Sequence, residues 1–296
     1  MQDTGHRGAP VQDRYSPVDG VVRVGPLMGV PAMLLELGRE PEPIFDSAGL
    51  KLALFADADN KISYAAASRL LAHSVAATGC RHFGLLVGQR AGPSSLGVAG
   101  FMLRSAPDIG TALRGLVQHL DLHDQGGVPM LIIKGDLTLL GYAIQQSAVE
   151  ASDQIYDLSI TIACNIMRSL RGEGWNPTEV ILSRRRPQDL APYRRVFRAP
   201  IRFNAEQSAV VFPTCLLDYQ IPSADPLLHR HLEKEATELH SLQKANIVPN
   251  LRGLLCQVAA GAQMHGCRCR QTAVHARAHV APAAAKGRYQ LSPRTR

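Results

Sequence analysis

The stretch MLIIKGDLTLLGYAIQQ, residues 130–146, contains two runs of aliphatic and β-branched residues separated by a short polar turn. The first run covers 130–134 and the second covers 137–146, and both have the composition of β-strands. The turn between them contains Gly135, a residue typical of tight turns. We therefore predict that residues 130–146 form an antiparallel hairpin.

Three amphipathic helices are predicted around this hairpin. Residues 63–79 begin with Ser63, which can cap a helix N-terminus, and end at Gly79. Residues 108–123 place their apolar side chains on one helix face, and residues 151–172 form a longer, partly buried helix. Because strands and helices mix without a regular β-α-β alternation, the sequence favours an α+β fold over a doubly wound sheet.

Shorter segments complete the predicted elements. Residues 30–38 have the pattern of a helix, and residues 179–183 have the pattern of a short strand. Residues 187–200 are expected to begin helically, and residues 201–213 are expected to form a second hairpin.

A polar amphipathic helix is predicted over residues 224–244. Four leucines follow a heptad-like spacing along it. They are Leu227, Leu228, Leu232 and Leu239. Such a stripe could line the interface of a homodimer or of another partner.

The net positive charge of the chain comes from its C-terminal end. The net charge is +7, from 32 Lys and Arg against 25 Asp and Glu. Residues 251–296 hold eight of the basic residues and none of the acidic ones, so residues 1–250 carry 24 basic against 25 acidic groups. A basic protein usually suggests nucleic acid as a partner, but here only the tail can carry that interpretation.

Targeting and redox signals point to the cytoplasm. Residues 1–24 are polar and rich in Pro and Gly, without the apolar region of a secretory signal, and we expect a disordered lead-in. No apolar run reaches the ~18 residues of a membrane span. The six cysteines show no disulfide framework, which favours a reducing compartment.

No catalytic motif is found, and we expect no enzyme and no cofactor. The dinucleotide, phosphate-loop, nucleophile-elbow and zinc-protease patterns are all missing from the sequence. The segment GPSSLG (92–97) resembles a nucleophile turn, but Ser94 and Ser95 have no visible general base. A loop is the favoured interpretation.

The polar residues outside the C-terminal tail predict no metal or phosphate site either. His119 and His123 are four residues apart and could share a metal, but we favour the polar flank of a helix. His229 and His231 do not share a helix face. The basic segment SRRRPQ (183–188) is interpreted as a solvated loop rather than a phosphate site.

The tail segment QMHGCRCRQTAVHARAHVAPAAAKG (263–287) contains five potential zinc ligands. They are His265, Cys267, Cys269, His275 and His279. Their spacing departs from known zinc fingers, which need two to four residues between cysteines and a packed core, so no metal residue is assigned. Two other interpretations are a tail that binds phosphates without specificity and a product of translation in a shifted frame.

Two stretches carry a resemblance to a known family. HFGLLVGQRAGPSSLGVAGFMLRSAPDIGTALRGLVQHLDLH (82–123) contains F-G-L-x-x-G, and residues 196–236 contain F-x-A-P-I-R-F followed by A-D-P-x-L. Over about residues 25–240 the chain resembles the N-terminal effector domain of AraC/XylS-type transcription regulators, in the branch with an arabinose-binding-domain-like sensor.

The resemblance implies a domain order and partners. An effector-sensing domain would cover 25–220 and a linker helix 221–247, and 248–296 would begin a helix-turn-helix DNA-binding domain. A small-molecule effector and a DNA operator are the partners of the intact family. The effector is unknown; the expected pocket walls are the helices 63–79 and 108–123 with the hairpin.

The tail departs from the family pattern. Read one nucleotide forward, codons allowed for residues 269–287 can encode V-A-R-Q-L-C-M-H-A-R-T-L-H-R-R-L-R-K-G, which is similar to the first helix-turn-helix of the family. We therefore expect a one-base frameshift near residues 256–266 and a chain without competent DNA binding. The DNA-binding residues are left unknown. The alternative function is a sensor fragment that dimerises with intact regulators.

Overall fold

The computed structural model describes residues 20–146 and 149–241, and confirms the α+β class. Its helices are α1 (Val30–Glu36), α2 (Pro41–Ser47), α3 (Tyr64–Thr78), α4 (Phe83–Gln89), α5 (Val98–Ser105), α6 (Ile109–His119), α7 (Ser152–Arg171), α8 (Ala191–Phe197) and α9 (residues 226–241). Its strands are β1 (Val21–Arg23), β2 (Lys61–Ser63), β3 (Gly127–Lys134), β4 (Leu137–Ile144), β5 (Glu179–Ile181), β6 (Ile201–Arg202) and β7 (Ser208–Pro213). Short 3-10 turns lie at Gly25–Leu27, Leu52–Ala56, Pro93–Leu96, Leu120–Leu122 and Thr214–Asp218.

The predicted hairpin is confirmed and starts the larger of two sheets. β3 and β4 pair antiparallel from Gly127 opposite Ile144 to Lys134 opposite Leu137. The five strands lie in the order β3-β4-β7-β5-β6, and every neighbouring pair except β5 and β6 is antiparallel. A second sheet consists of β1 and β2 alone.

The predicted hairpin over 201–213 is wrong. β6 pairs parallel with β5, while β7 lies between β4 and β5 and pairs with both. Strand alternation alone could not reveal this order, because β5 separates the two strands in the sheet. The helix predicted to start near residue 187 begins only at Ala191.

The three long helices are confirmed with their capping residues. The Ser63 hydroxyl accepts a hydrogen bond from the Ala66 amide at 3.1 Å, and Gly79 ends α3 in the left-handed conformation, with φ of 69°. In α6, the Asp108 carboxylate accepts from the Thr111 amide at 2.7 Å, and the helix ends at His119, earlier than predicted.

Helix α4, which the periodicity did not predict, packs closely against α7. A Cβ added at Gly84 would lie 2.1 Å from the backbone oxygen of Gln154, and one added at Gly88 would lie 2.9 Å from that of Leu158. The two glycines of F-G-L-x-x-G therefore allow two helix backbones to approach at a distance that no other residue permits.

Most of helix α7 is buried, and its buried polar side chains bind partners inside the fold. The side-chain amide of Asn165 donates to the backbone oxygens of Gly88 and Ala91, at 3.0 and 2.8 Å. The guanidinium of Arg168 donates to the backbone oxygens of Val196 and Phe197, at 2.9 and 3.2 Å. Each bond satisfies a buried polar group and fixes a loop or helix end against α7.

The most buried charge of α7 is the Asp157 carboxylate, whose side chain is fully inaccessible to solvent. It accepts a hydrogen bond from the Tyr193 hydroxyl at 2.6 Å and forms an ion pair with Arg184. Arg184 belongs to the basic segment 183–188, whose interpretation as a solvated loop is thus wrong at this residue. Arg185 and Arg186 are exposed.

The N- and C-terminal parts of the described chain are more integrated than expected. Residues 21–23, assigned to the disordered lead-in, form β1. In α9, Leu232 and Ala236 are buried against Met102 of α5, and the compact unit extends through residue 240. Along residues 20–146 and 149–241, no helix is long and apolar enough to cross a membrane.

We predict that Asp157→Ala destabilises the protein by about 3 kcal/mol, because among the described residues it leaves the buried Arg184 guanidinium with the half-exposed Asp153 carboxylate as its remaining ion-pair partner. Urea unfolding followed by circular dichroism measures the change. The matched control is Glu179→Ala, which breaks the exposed pair of Glu179 with Arg202 and should shift the midpoint far less. Equal losses in the two variants would contradict this assignment.

Candidate functional site

A cavity lies between α7 on one side and α3, α6 and the β3–β4 hairpin on the other. Its volume is about 90 Å³. A single water needs only about 10–15 Å³. The cavity therefore has room for a small organic molecule.

The cavity walls are mostly aliphatic. Helix α7 contributes the largest share through Ile155, Leu158, Ile162, Ala163 and Ile166. The facing side is formed by Ala67 and Leu71 of α3, Leu116 of α6, Leu120, Pro129 and Leu140. These side chains face inward because each lies on the apolar stripe of its helix or on the covered face of the hairpin.

One end of the cavity carries a chain of buried polar groups. The Tyr142 hydroxyl donates to Asp124 Oδ2 at 2.5 Å, and the hydroxyls of Tyr64 and Tyr142 are 3.0 Å apart. Asp124 Oδ1 accepts from the backbone amides of Gly126 and Gly127, at 2.8 and 3.2 Å. Burial raises the pKa of Asp124, while its hydrogen bonds oppose that shift.

His123 lies beside this chain with its ring buried. Burial lowers the pKa of His123 to about 3, and the positive charges of Arg23 and Lys61 act in the same direction. The imidazole is therefore neutral at physiological pH. No hydrogen-bond partner for His123 Nδ1 is found in the part of the chain that the structure describes. The ring of this cavity-lining residue thus carries a buried polar atom without a partner among the described residues.

His119 faces a different neighbour. Its Nδ1 lies 3.0 Å from Nε2 of His240 in α9, and His240 Nδ1 lies 3.4 Å from the Asp121 carboxylate. His119 and His123 are both buried, so the favoured interpretation as a polar flank is wrong. Since one faces α9 and the other lines the cavity, the structure does not bring them together as a metal pair.

The segment 119–124 therefore contacts both the cavity and helix α9. Leu120, His123 and Asp124 line the cavity, and Leu122 packs on the cluster that holds α9. A second pocket, of about 230 Å³, lies behind His123 and is bordered by Leu122 and Leu239. The packed side chains of this segment therefore connect the cavity directly with α9.

The described part of the chain does not bring the remaining candidates together. Ser95 lies in a 3-10 turn and its hydroxyl donates to the Gly92 backbone oxygen at 2.6 Å. His229 is buried with its Nδ1 3.3 Å from the Ser105 hydroxyl, whereas His231 is exposed. Within 20–146 and 149–241, no three His, Cys, Asp or Glu side chains are grouped to hold a metal.

The cysteines and histidines at 265–279 lie outside the described residues, as do the position of the expected frameshift and the expected start of a DNA-binding domain at residue 248.

The expected pocket walls, 63–79, 108–123 and the hairpin, do surround one cavity. Sequence analysis missed the contribution of α7 and the polar end. A signal for the latter is present in Asp124-Gln-Gly-Gly127: an Asp followed by two glycines before a strand is typical of a turn in which a carboxylate binds backbone amides.

Comparisons with known proteins identify the family of the chain. A family model described as the N-terminal arabinose-binding domain of AraC transcription regulators matches residues 38–221. Among solved structures, the chain is similar to the transcriptional regulator CdpR from Pseudomonas aeruginosa, at 20% identity and a TM-score of 0.44. That match covers 53% of each chain, so it spans about half the length of CdpR. No curated protein matches the chain. Because the family model covers more than half of the residues, the chain belongs to the AraC family of transcription regulators and contains their N-terminal arabinose-binding domain.

Proposed function

We propose that the chain is a cytoplasmic effector sensor of an AraC-type regulator, and that its effector occupies the cavity between α7 and the β3–β4 hairpin. The observation that carries this proposal is the combination of an apolar cavity with one polar end, which is the usual composition of small-molecule sites. The proposal assigns no catalytic role, cofactor or metal to the chain.

The segment 119–124 is proposed to transmit occupancy of the cavity to α9. Leu120 and His123 contact the cavity, while His119 contacts His240 and Leu122 packs near Leu232. A ligand that packs against the first pair restricts the same short segment that positions the second. In this proposal residues 25–220 sense the effector and residues 221–247 link the sensor to the segment 248–296.

The cavity assignment predicts a specific pattern of thermal stabilisation. An effector present at 100 times its Kd should stabilise the wild-type chain by about 2.7 kcal/mol. Ala67→Leu, which fills the cavity from α3, should abolish that stabilisation. Differential scanning fluorimetry with a panel of metabolites measures the shift in Tm.

The matched control is Ala76→Leu, the same change at an exposed position of the same helix. It should respond to the effector like the wild-type chain. A compound that stabilises Ala67→Leu as much as Ala76→Leu does not bind in the cavity, and that result would contradict the proposal.

We also propose, from the sequence, that this polypeptide does not bind DNA sequence-specifically. Pro282 would interrupt a recognition helix, and the segment 256–296 has no apolar face to dock one. Selection from random duplexes at about 0.15 M salt should enrich no motif, although the basic tail should retain DNA at lower salt. A motif that is enriched in this selection and that the chain then protects in a footprinting assay would overturn the proposal that the chain does not bind DNA sequence-specifically.

A second candidate function is dimerisation of the sensor with another copy or an intact regulator. Leu232 is buried in the sensor itself, so it is not available to a partner. Leu227 and Leu228, by contrast, are 73% and 44% exposed on α9, which favours a contact there.

The double substitution Leu227→Glu and Leu228→Glu should convert a dimer into a monomer, because it introduces charge into an apolar contact. Light scattering after size-exclusion chromatography measures the mass. Leu35→Glu, at a leucine of α1 that is 55% exposed, is the control and should leave the dimer intact. A wild-type chain that is monomeric at every concentration would exclude this candidate.

A further inference from the structure

We infer that the cavity takes a small uncharged molecule with an apolar body and one hydroxyl-type group, which hydrogen-bonds to His123 Nδ1. The inference rests on the proposed function, since it specifies the chemistry of the ligand in that same cavity. The inference distinguishes this sensor from a sugar-binding sensor, although the domain of the family is named for arabinose binding.

The apolar body follows from the walls. Ile155, Leu158 and Ile162 of α7 face Leu71 and Leu140 across the cavity. Contact with these side chains removes apolar ligand surface from water, at roughly 25 cal/mol per Å². A hydroxyl placed against the same walls would lose its hydrogen bonds to water and cost about 1–3 kcal/mol. Each additional hydroxyl of a sugar would meet this cost.

The polar end cannot compensate several hydroxyls, because most of its groups are already paired with each other. Asp124 accepts three hydrogen bonds, two from backbone amides and one from Tyr142. Since the hydrogen of Tyr142 is used on Asp124, Tyr64 must donate to Tyr142. Besides His123 and this hydrogen-bonded chain, Ser159 is the only polar side chain that the described residues add to the lining.

The cavity disfavours both anionic and cationic ligands. An anion would lie beside the buried Asp124 carboxylate, the one acidic side chain in the lining. A cation would lie beside His123, where Arg23 and Lys61 already contribute positive potential, and the Asp124 carboxylate that could attract it already accepts three hydrogen bonds. Either charge would also lose its hydration in an apolar cavity without a free counter-charge, which costs far more than burial of a neutral group.

His123 Nδ1 is the atom that the inference assigns to the ligand. The side chain is 5% exposed, it lines the cavity, and Nδ1 has no hydrogen-bond partner among the described residues. Buried polar atoms in native proteins are nearly always paired. A hydroxyl both donates and accepts, so it can pair with Nδ1 in either neutral tautomer of the ring.

A matched set of aromatic probes tests this chemistry by isothermal titration calorimetry on the full chain. The aromatic probes are 4-methylphenol, toluene, 4-methylbenzoate and 4-methylbenzylammonium, and L-arabinose is titrated beside them. We expect 4-methylphenol to bind about tenfold more tightly than toluene, the gain of one hydrogen bond. The two charged probes and L-arabinose should give no measurable heat of binding.

The variant His123→Leu tests the assigned atom. It should reduce the affinity for 4-methylphenol about tenfold while toluene binds as before, so that the preference for the phenol disappears. Binding of toluene shows at the same time that the variant is folded with its cavity intact. If that variant fails to fold, comparing 4-methylphenol with toluene on the wild-type chain still tests the preference.

Several results would overturn the inference. They are a failure of 4-methylphenol to bind at about 1 mM, an unchanged preference in His123→Leu, or a charged probe or L-arabinose binding as tightly as the phenol. If such a competing probe loses its binding in Ala67→Leu, the cavity remains the ligand site and only its chemistry is wrong. If Ala67→Leu retains every ligand that the wild-type chain binds, the proposed function fails as well.

Discussion

The burial of α7 is the constraint on which the rest of the fold depends. A helix whose side chains are mostly buried can leave few polar groups to water, so the buried ones must find partners inside the molecule. Asp157 binds Tyr193 and Arg184, Asn165 binds the end of α4, and Arg168 binds the end of α8. These bonds determine which loops and helices surround α7 and where they end. The close approach of α4 at Gly84 completes the enclosure.

The other face of α7 is aliphatic, and it faces the hairpin across a cavity rather than packing fully against it. The polar groups at one end of that cavity come from three elements: the start of α3, strand β4 and the turn before β3. Their hydrogen bonds tie Tyr64, Tyr142 and Asp124 together and leave His123 Nδ1 without a partner in the described chain. The same six-residue segment that supplies His123 also contacts α9 through His119. Cavity and helix are therefore linked by local packing.

Much of the fold follows from local sequence, and the remainder depends on long-range order. The hairpin at 130–146 and the ends of α3 are correctly predicted because turn and capping residues act within a few positions. The hairpin at 201–213 is wrong because the position of β5 between its strands is a tertiary fact. His119 and His123 were misplaced for a similar reason: a histidine beside an apolar stripe is exposed or buried according to what packs on it, here α9 and the cavity. The pocket walls were predicted in part, since apolar faces must cover something, but α7 was missed as a wall.

The central claim is that a small neutral ligand sits between α7 and the β3–β4 hairpin. Methyl-selective NMR with bound 4-methylphenol tests it most directly, through nuclear Overhauser contacts between the ring protons and assigned methyl groups. The account predicts contacts to Ile155, Leu158 and Ile162, which line the cavity. Contacts confined to exposed methyl groups such as those of Leu35 and Ile133 would contradict it, because these side chains lie on the surface.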